Sequence, residues 1–408
     1  MGGVGKTLLA TLVENEVKRL ATFKDVLWVT VSNKFSISKL QDDIAKRIGV
    51  KLDEDDERIR SNHLSLALET KEKSIIILDD VWNYIDLQKV GIPLKVILTT
   101  RLKHVCHQMD CLPNHMIQII PLNTHYGEDE DWHLFEVKLG HNGTPVTLSA
   151  EIEKIAKDIV SRCDGLPLGI SVIARTMKGI DDIHQWKHAL NKLKKLEMGQ
   201  EVEEEVFKVL KRSYDNLMDK DLQNCFLYCA LFFTGDKDEL IMKLVENGQI
   251  NKNMCLEEIF DEGNTILNKL DAHSLSSSNH YNFVDSHPLV RSMACYIMKE
   301  SQRNVMVNDE IPLSHGWATN LELVHIRCCG IEEISEDLSP NCPKLSTLII
   351  NIAPFSYVPE SFFKYMNSLS ILDLSYNKSL ESLPKSITNL TSLVSLILNI
   401  CDSLKHVP

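Results

Sequence analysis

Short apolar runs alternate with amphipathic helical segments in the N-terminal part of the chain. Residues 25–32, 74–80 and 95–101 are rich in β-branched and other apolar residues, which is typical of strands buried on both faces. Residues 8–20 and 38–50 carry apolar side chains at helical spacing. Strands that alternate with helices predict an α/β fold with a doubly wound parallel sheet.

Further along, the hydrophobic period becomes helical. Residues 151–163 and 201–217 each place their apolar side chains on one helical face. Between them, residues 165–168 have the sequence Gly-Leu-Pro-Leu. Because glycine ends helices and proline begins them, this segment predicts a boundary between two helices.

Apolar residues in the C-terminal part recur with a displacement of 24 positions. The four sets are Leu321, Val324 and Ile326; Leu345, Leu348 and Ile350; Leu369, Leu372 and Leu374; and Leu393, Leu396 and Leu398. The turn position that follows holds Cys329, Asn377 or Cys401, and Ala353 is the exception. Four phased sets favour leucine-rich repeats over an ordinary amphipathic helix. Each repeat would bury its leucines against its neighbours.

Composition places the chain among ordinary globular proteins and narrows its partners. It has 408 residues, of which 44% are hydrophobic and 25% charged, and these values predict two to four domains. The net charge of −13 argues against nucleic acid as the main partner, and no apolar run predicts an integral membrane segment. The 11 cysteines lack disulfide-like spacing, which favours a reducing, cytoplasmic location.

The first residues resemble the end of a phosphate-binding loop that leads into a helix. Backbone N–H groups of the glycines would face phosphate oxygens, Lys6 would reach the β and γ phosphates, and the Thr7 hydroxyl would bind Mg²⁺. The full signature needs a glycine five residues before Gly5 and a preceding strand, so we expect the chain to be an N-terminal truncation. The alternative is an unstructured glycine-rich terminus.

Charged residues follow two of the predicted strands. Asp79 and Asp80 end the second strand, and Arg101 ends the third. Because the carboxyl ends of parallel strands border the ligand crevice, Asp79 is placed to hold the same Mg²⁺ as Thr7. Asp80 would orient or deprotonate a water molecule, and Arg101 would sense the terminal phosphate. Alternatively, the two carboxylates form a turn or helix cap, and Arg101 is a surface residue.

The order of these motifs resembles that of plant nucleotide-binding, leucine-rich-repeat disease resistance proteins (NB-ARC proteins), which are relatives of the apoptotic ATPases. The resemblance covers essentially the whole chain. The motifs are GGVGKT at 2–7, LDDVW at 78–82, TTR at 99–101, GLPL at 165–168, CFLYCALF at 225–232, His287 and the repeats. The tryptophan that follows the aspartate pair, Trp82, resembles the pattern of the family's coiled-coil class.

The resemblance implies five segments and a nucleotide site. These are a P-loop NTPase domain (1–122), a helical domain (123–197), a winged-helix domain (198–300), a linker (301–320) and an α/β leucine-rich-repeat solenoid (321–408). The residues implied to bind ADP or ATP are Gly2, Gly3, Val4, Gly5, Lys6, Thr7, Leu8, Arg101, Pro167 and His287. Pro167 would pack near the adenine, and His287 would reach the ADP phosphates. Thr7 and Asp79 would hold Mg²⁺. A helix cap is the alternative role for His287.

The implied function is a switch in plant innate immunity. ADP would hold the receptor closed, and ATP would release it to self-oligomerise. The repeats would bind a pathogen effector or a guarded host protein. Hydrolysis would be at most slow, with Asp80 as the catalytic candidate. The alternative is a truncated or decayed homologue that only binds proteins through its repeats. The family's Met-His-Asp triplet is Ser286-His287-Pro288 here, which removes a carboxylate from the implied lock.

Overall fold

The protein is described from a computed structural model. It describes the chain except residues 22, 32–34, 72, 123–128, 141–145, 197–198, 233–234, 247, 279–282, 302–303, 309–310, 313–315 and 328–332, so Ser32 and Cys329 of the sequence predictions lie outside the described residues. The strands are β1 (Asp25–Thr30), β2 (Ser74–Val81), β3 (Lys95–Thr100), β4 (Gly235–Asp236), β5 (Ser277–Ser278), β6 (Phe283–Asp285), β7 (Val305–Asn308), β8 (Leu323–Arg327), β9 (Thr347–Asn351), β10 (Ile371–Asp373) and β11 (Ser395–Ile397).

The helices are α1 (Lys6–Arg19), α2 (Ile37–Ile48), α3 (Glu57–Glu69), α4 (Leu87–Val90), α5 (Lys103–Gln108), α6 (Glu130–Leu139), α7 (Ala150–Ser161), α8 (Pro167–Thr176), α9 (Ile183–Lys194), α10 (Gln200–Val202), α11 (Lys208–Asp215), α12 (Lys220–Phe232), α13 (Lys237–Glu246), α14 (Leu256–Ala272) and α15 (Pro288–Glu300). A π-helical turn, Glu203–Phe207, joins α10 to α11. In the ranges that the structure describes, no helix combines the length and apolar character needed to span a bilayer.

The first compact unit comprises Met1–Asn123, Leu166–Leu168 and Lys269–Ser274. Its sheet is parallel, with β2 between β1 and β3. The side chains of β2 are buried along almost the whole strand, which explains its unbroken apolar sequence. Apolar side chains of α2 and α3 pack with the strands in one core. The prediction of a parallel α/β sheet is therefore confirmed.

The second compact unit comprises Thr124–Gly165, Gly169–Asn268 and Leu275–Pro408. It contains α6, α7, most of α8, the helices from α9 to α13, most of α14, and α15, together with an antiparallel sheet in the order β4-β6-β5. Trp186, Phe135, Phe207 and Phe226 are fully buried in this unit. Of these four, Phe207 lies in the amphipathic segment 201–217 of the sequence prediction, and the other three lie outside both predicted amphipathic helices.

The C-terminal part of the second unit contains a five-stranded parallel sheet in the order β11-β10-β9-β8-β7. From β8 to β11 each strand pairs with the residue 24 positions further along, as in Leu323 with Thr347, Thr347 with Ile371 and Ile371 with Ser395. Leu372 is buried in the apolar core beside this sheet. The displacement seen in the sequence is therefore also the register of the strand pairing.

Asn377 connects two adjacent turns of this periodic region. Its side chain is 0% exposed. The Oδ1 atom accepts a hydrogen bond from the N–H of Ala353 at 2.7 Å, and Nδ2 donates to the carbonyls of Ile350 at 2.7 Å and Leu374 at 2.8 Å. Ala353 is the exception in the sequence pattern because it has no polar side chain at the turn. Its backbone N–H is instead bonded by the side chain of the residue 24 positions later.

We expect Asn377→Ala to lower the free energy of unfolding by roughly 2–4 kcal/mol, because three buried backbone groups lose their hydrogen bond to the Asn377 side chain. Urea unfolding followed by circular dichroism measures this change. Asn389→Ala, at an exposed position, is the control and should stay within about 0.5 kcal/mol of the unsubstituted protein. Equal effects of the two substitutions would contradict the assignment.

A buried ion pair connects α13 to β10 within the second unit. Lys243 is 3% exposed and Asp373 is 1% exposed. Lys243 Nζ lies 2.6 Å from Asp373 Oδ2 and 3.3 Å from Glu239 Oε1. The other Glu239 oxygen accepts a hydrogen bond from the Tyr376 hydroxyl. Since burial of charges is costly, each partner here depends on the other.

We expect Asp373→Ala to destabilise the protein by roughly 3–5 kcal/mol, because the buried Lys243 would lose the nearer of its two carboxylates. The double variant Lys243→Met with Asp373→Leu should recover much of this loss, since both charges leave together. Lys405, whose ion pair with Glu381 is exposed, offers the control Lys405→Ala, expected to cost less than about 1 kcal/mol. A double variant no more stable than Asp373→Ala alone would refute the coupling.

Candidate phosphate-binding site

The segment before α1 forms a turn that only glycine adopts without strain. Gly3 has φ 81° and Gly5 has φ 99°, both in the left-handed region. Gly5 is the N-terminal cap residue of α1, and the first helical bond runs from Leu9 N–H to Gly5 C=O at 2.8 Å. The amides of the first turn therefore project from the helix end, where the helix dipole favours an anion. The first turn contains no acidic residue that would oppose the anion.

The other two loop residues of the prediction differ in exposure. The side chain of Val4 is buried, whereas that of Leu8 is 63% exposed. Any role of Leu8 toward an anion would thus use its backbone amide. Gly2 is buried as well.

The side chain of Lys6 folds back onto the glycine-rich loop, and its ammonium group is partly buried. Lys6 Nζ donates a hydrogen bond to the carbonyl of Met1 at 2.5 Å. Burial, followed by repulsion from Arg101, lowers the pKa of Lys6 from 10.5 to about 8, although Asp80 and Asp79 act in the opposite direction. A poorly solvated cation beside a second cation is an environment that an anionic group would stabilise.

Three oxygen-bearing side chains meet at the carboxyl end of β2. The Thr7 hydroxyl donates to Asp79 Oδ1 at 2.9 Å, and the Thr99 hydroxyl donates to the same oxygen at 2.7 Å. Asp79 is buried. Carboxylate and hydroxyl oxygens are hard ligands of the kind that Mg²⁺ takes, usually with water and phosphate completing its shell. The donor set thus fits this cation.

Asp80, Arg101 and Trp82 form a second cluster beside the first. Asp80 has φ 59°, and its Oδ1 lies 3.5 Å from Arg101 Nε. The Arg101 guanidinium carbon lies 4.8 Å from the centre of the Trp82 ring, and the Trp82 side chain is buried. Ring and carboxylate together hold the cation in one place. The catalytic role of Asp80 and the sensor role of Arg101 stay predictions.

Pro167 begins α8, as its lack of an N–H group allows. The next residue, Leu168, donates its backbone N–H to the carbonyl of Gly3 at 3.2 Å. A Cβ atom added to Gly3 would lie 3.0 Å from Leu168 Cβ, so a small residue is needed there. Leu166–Leu168, which belong to the same compact unit, therefore lie against the glycine-rich loop. The placement of Pro167 near an adenine stays a prediction.

His287 lies in the second unit and caps α15. Its Nδ1 accepts the N–H of Leu289 at 3.1 Å, which leaves the proton on Nε2, and Nε2 lies 3.2 Å from the carbonyl of Asp164. Burial lowers the pKa of His287, so the neutral ring is favoured. Pro288 takes the first helical position, where proline is well suited. The cap role is thus observed, and the role toward a nucleotide stays a prediction.

The structure thus brings together Lys6, Thr7, Asp79, Asp80 and Arg101, with Leu166–Leu168 beside the loop. Sequence reasoning missed the contact made by Thr99. The available signal was its place in β3, the strand that pairs with the end of β2. The sequence pattern relates Trp82 only to the coiled-coil class of the family, whereas the structure also shows the Arg101 guanidinium over its ring.

A glycine-rich loop, a helix N-terminus, a lysine and a carboxylate at the edge of a parallel sheet define a P-loop nucleotide-binding domain. Residues 1–144 match the NB-ARC domain family. A probable disease resistance protein of Arabidopsis thaliana is 35% identical over 100% of this chain and 45% of its own length. The disease resistance protein UNI of the same plant is 32% identical over 100% of this chain and 47% of its own length. This chain belongs to the plant NB-ARC disease resistance proteins.

The chain spans about half the length of the curated relatives it matches. A third relative, the disease resistance protein RFL1 of Arabidopsis thaliana, is 33% identical over 98% of this chain and 47% of its own length. Among solved structures, a Walker-type ATPase of Pyrococcus abyssi has a TM-score of 0.45 and 12% identity over 72% of this chain and 88% of that chain.

The pKa of Lys6 can be tested directly. We expect its ammonium group to titrate near pH 8 in NMR spectra of isotope-labelled lysine, below the lysines at the surface. Arg101→Gln should raise this pKa because it removes a nearby positive charge, and Arg19→Gln, an exposed change at the far end of α1, should leave it unchanged. A Lys6 signal that titrates together with the surface lysines would disprove the described environment.

Proposed function

We propose that this chain is the nucleotide-binding switch region of a plant immune receptor. The phosphates of ADP or ATP lie on the amides of the glycine-rich loop and the first turn of α1, and Lys6 contacts the β and γ phosphates. The observation that carries this proposal is the meeting of Lys6, Thr7 and Asp79 at one helix N-terminus and one sheet edge. Arg101 senses the terminal phosphate, and Pro167 packs near the adenine.

Thr7 and Asp79 are the proposed protein ligands of Mg²⁺. When bound, Mg²⁺ would neutralise charge on the phosphate oxygens. The described residues contain no cluster of three or more His, Cys, Asp or Glu side chains suited to a metal. A magnesium–nucleotide site does not need one, because phosphate and water supply most of the ligands.

The remaining domain assignments are also proposed. The strand register of 24 residues and the asparagine contacts support a leucine-rich-repeat solenoid at 321–408. The antiparallel sheet β4-β6-β5 and the neighbouring helices support a winged-helix domain at 198–300. A helical domain at 123–197, a linker at 301–320 and a P-loop domain at 1–122 complete the proposed division.

The proposed switch works through differential affinity. ADP and ATP favour different states of the receptor, and the ATP state self-oligomerises. The repeats bind a pathogen effector or a guarded host protein. Each cysteine that the structure describes is a free thiol, which supports a reducing, cytoplasmic setting. Hydrolysis, with Asp80 orienting the water, is slow and resets the switch.

Calorimetric titration of the protein with ADP tests this proposal. We expect binding that Lys6→Ala weakens roughly 10- to 100-fold, because one charge-assisted contact to phosphate is lost. Lys18→Ala, at an exposed position of α1, should leave the affinity unchanged. Since the protonated lysine binds phosphate, the affinity should also fall as the pH rises through about 8.

Two results would count against the switch. Failure of the unsubstituted, folded protein to bind either ADP or ATP would leave only a protein-binding role for the repeats. Binding that Lys6→Ala does not weaken would place the nucleotide elsewhere.

A further inference from the structure

The end of β2 carries a β-bulge opposite Thr99. Leu78 pairs with Leu98, but the next pair joins Val81 to Thr100, so two residues of β2 face one residue of β3. The two residues are Asp79 and Asp80. Bulges redirect side chains, and they are frequent beside functional sites.

One of the bulged residues has a strained backbone. Asp80 has φ 59°, a left-handed conformation that aspartate tolerates better than most residues but does not prefer. Its N–H donates to the Thr99 hydroxyl oxygen at 2.9 Å. The bulge removes the Asp80 N–H from the backbone hydrogen bonding of the sheet, and the Thr99 hydroxyl oxygen accepts a hydrogen bond from it instead.

The same hydroxyl orients Asp79. It has one hydrogen, which it donates to Asp79 Oδ1 at 2.7 Å, while its oxygen accepts from Asp80. Both hydrogen bonds are internal to the sheet, and Thr99 is 9% exposed. Thr7 reaches the same carboxylate oxygen from the loop side. Of the two hydroxyls, that of Thr7 adjoins the phosphate loop, so the bond from Thr99 can persist when a cation takes the Thr7 oxygen.

We propose that Thr99 is a positioning residue for the magnesium site: its hydroxyl pins the bulge and thereby holds the Asp79 carboxylate in the orientation that the metal needs. This inference rests on the proposed function. Thr99 also fixes the backbone of Asp80, whose carboxylate contacts Arg101. It therefore links the proposed magnesium ligand Asp79 to the proposed phosphate sensor Arg101. Groups that orient metal ligands typically change metal affinity about 10- to 100-fold when they are removed.

The adjacent residue provides a matched control. Thr100 is also a threonine of β3, but its hydroxyl accepts the N–H of Leu102 at 3.0 Å. Thr100→Val therefore removes a hydroxyl of the same type from the same strand without changing a hydrogen bond to Asp79. Valine has nearly the shape of threonine, so Thr99→Val removes the two hydrogen bonds with little change in packing.

The experiment is a calorimetric titration of the whole chain with ADP, in EDTA and in MgCl₂. The ratio of the two affinities, here called the magnesium enhancement, is compared among variants. We expect Thr99→Val to reduce the magnesium enhancement about 10-fold while the affinity in EDTA changes less than about twofold. Thr99→Ser keeps the hydroxyl and should restore the enhancement to within about threefold of the unsubstituted protein. Thr100→Val should behave like the unsubstituted protein.

Two results with a folded Thr99→Val variant would overturn the inference. An unchanged magnesium enhancement in Thr99→Val shows that the hydroxyl does not position Asp79. Equal losses in EDTA and in MgCl₂ show a merely structural role. If Thr99→Val folds poorly, the comparison of Thr99→Ser with Thr99→Ala gives the same separation. Absence of ADP binding by the unsubstituted protein refutes the proposed function, whereas normal magnesium-dependent binding by both proteins refutes only the role of Thr99.

Discussion

One carboxylate oxygen, Oδ1 of Asp79, connects three elements of the first unit. It accepts hydrogen bonds from the hydroxyl of Thr7 at the start of α1 and from the hydroxyl of Thr99 in β3, while Asp79 itself lies near the carboxyl end of β2. The helix start, the sheet edge and the neighbouring strand thus share one buried acceptor. A buried carboxylate must have such partners, because its desolvation is otherwise costly. The geometry of the candidate site follows from meeting this requirement.

The electrostatics of the site follow from the same arrangement. Two carboxylates at the end of β2 lie near two cations, Lys6 and Arg101, and burial weakens the protonation of Lys6. The left-handed glycines let the loop pass close to these groups, and the helix dipole adds to the positive potential. An anion bound at the loop would relieve the repulsion between the cations. Phosphate binding would therefore be coupled to protonation of Lys6.

Much of the fold could be predicted because its signals are local. Apolar runs located the three strands of the first sheet to within about two residues, and their alternation with helices indicated parallel pairing. Parallel pairing in turn placed Asp79 and Arg101 at the same edge. The residues missed by sequence reasoning depend on contacts that periodicity does not encode. The bulge at Asp80, the bond from Thr99 and the pair of Lys243 with Asp373 join residues on separate elements. Likewise, the contact that compensates for Ala353 comes from a later turn.

In the proposed site, Thr7 and Asp79 hold the metal of a bound nucleotide. A crystal structure of the protein grown with ADP and Mn²⁺ can decide this, because anomalous scattering locates the metal independently of the protein atoms. We expect an anomalous peak about 2.1–2.3 Å from Thr7 Oγ1, with Asp79 bound to the metal directly or through one water molecule. A nucleotide whose metal touches neither residue would rule out the proposed magnesium site.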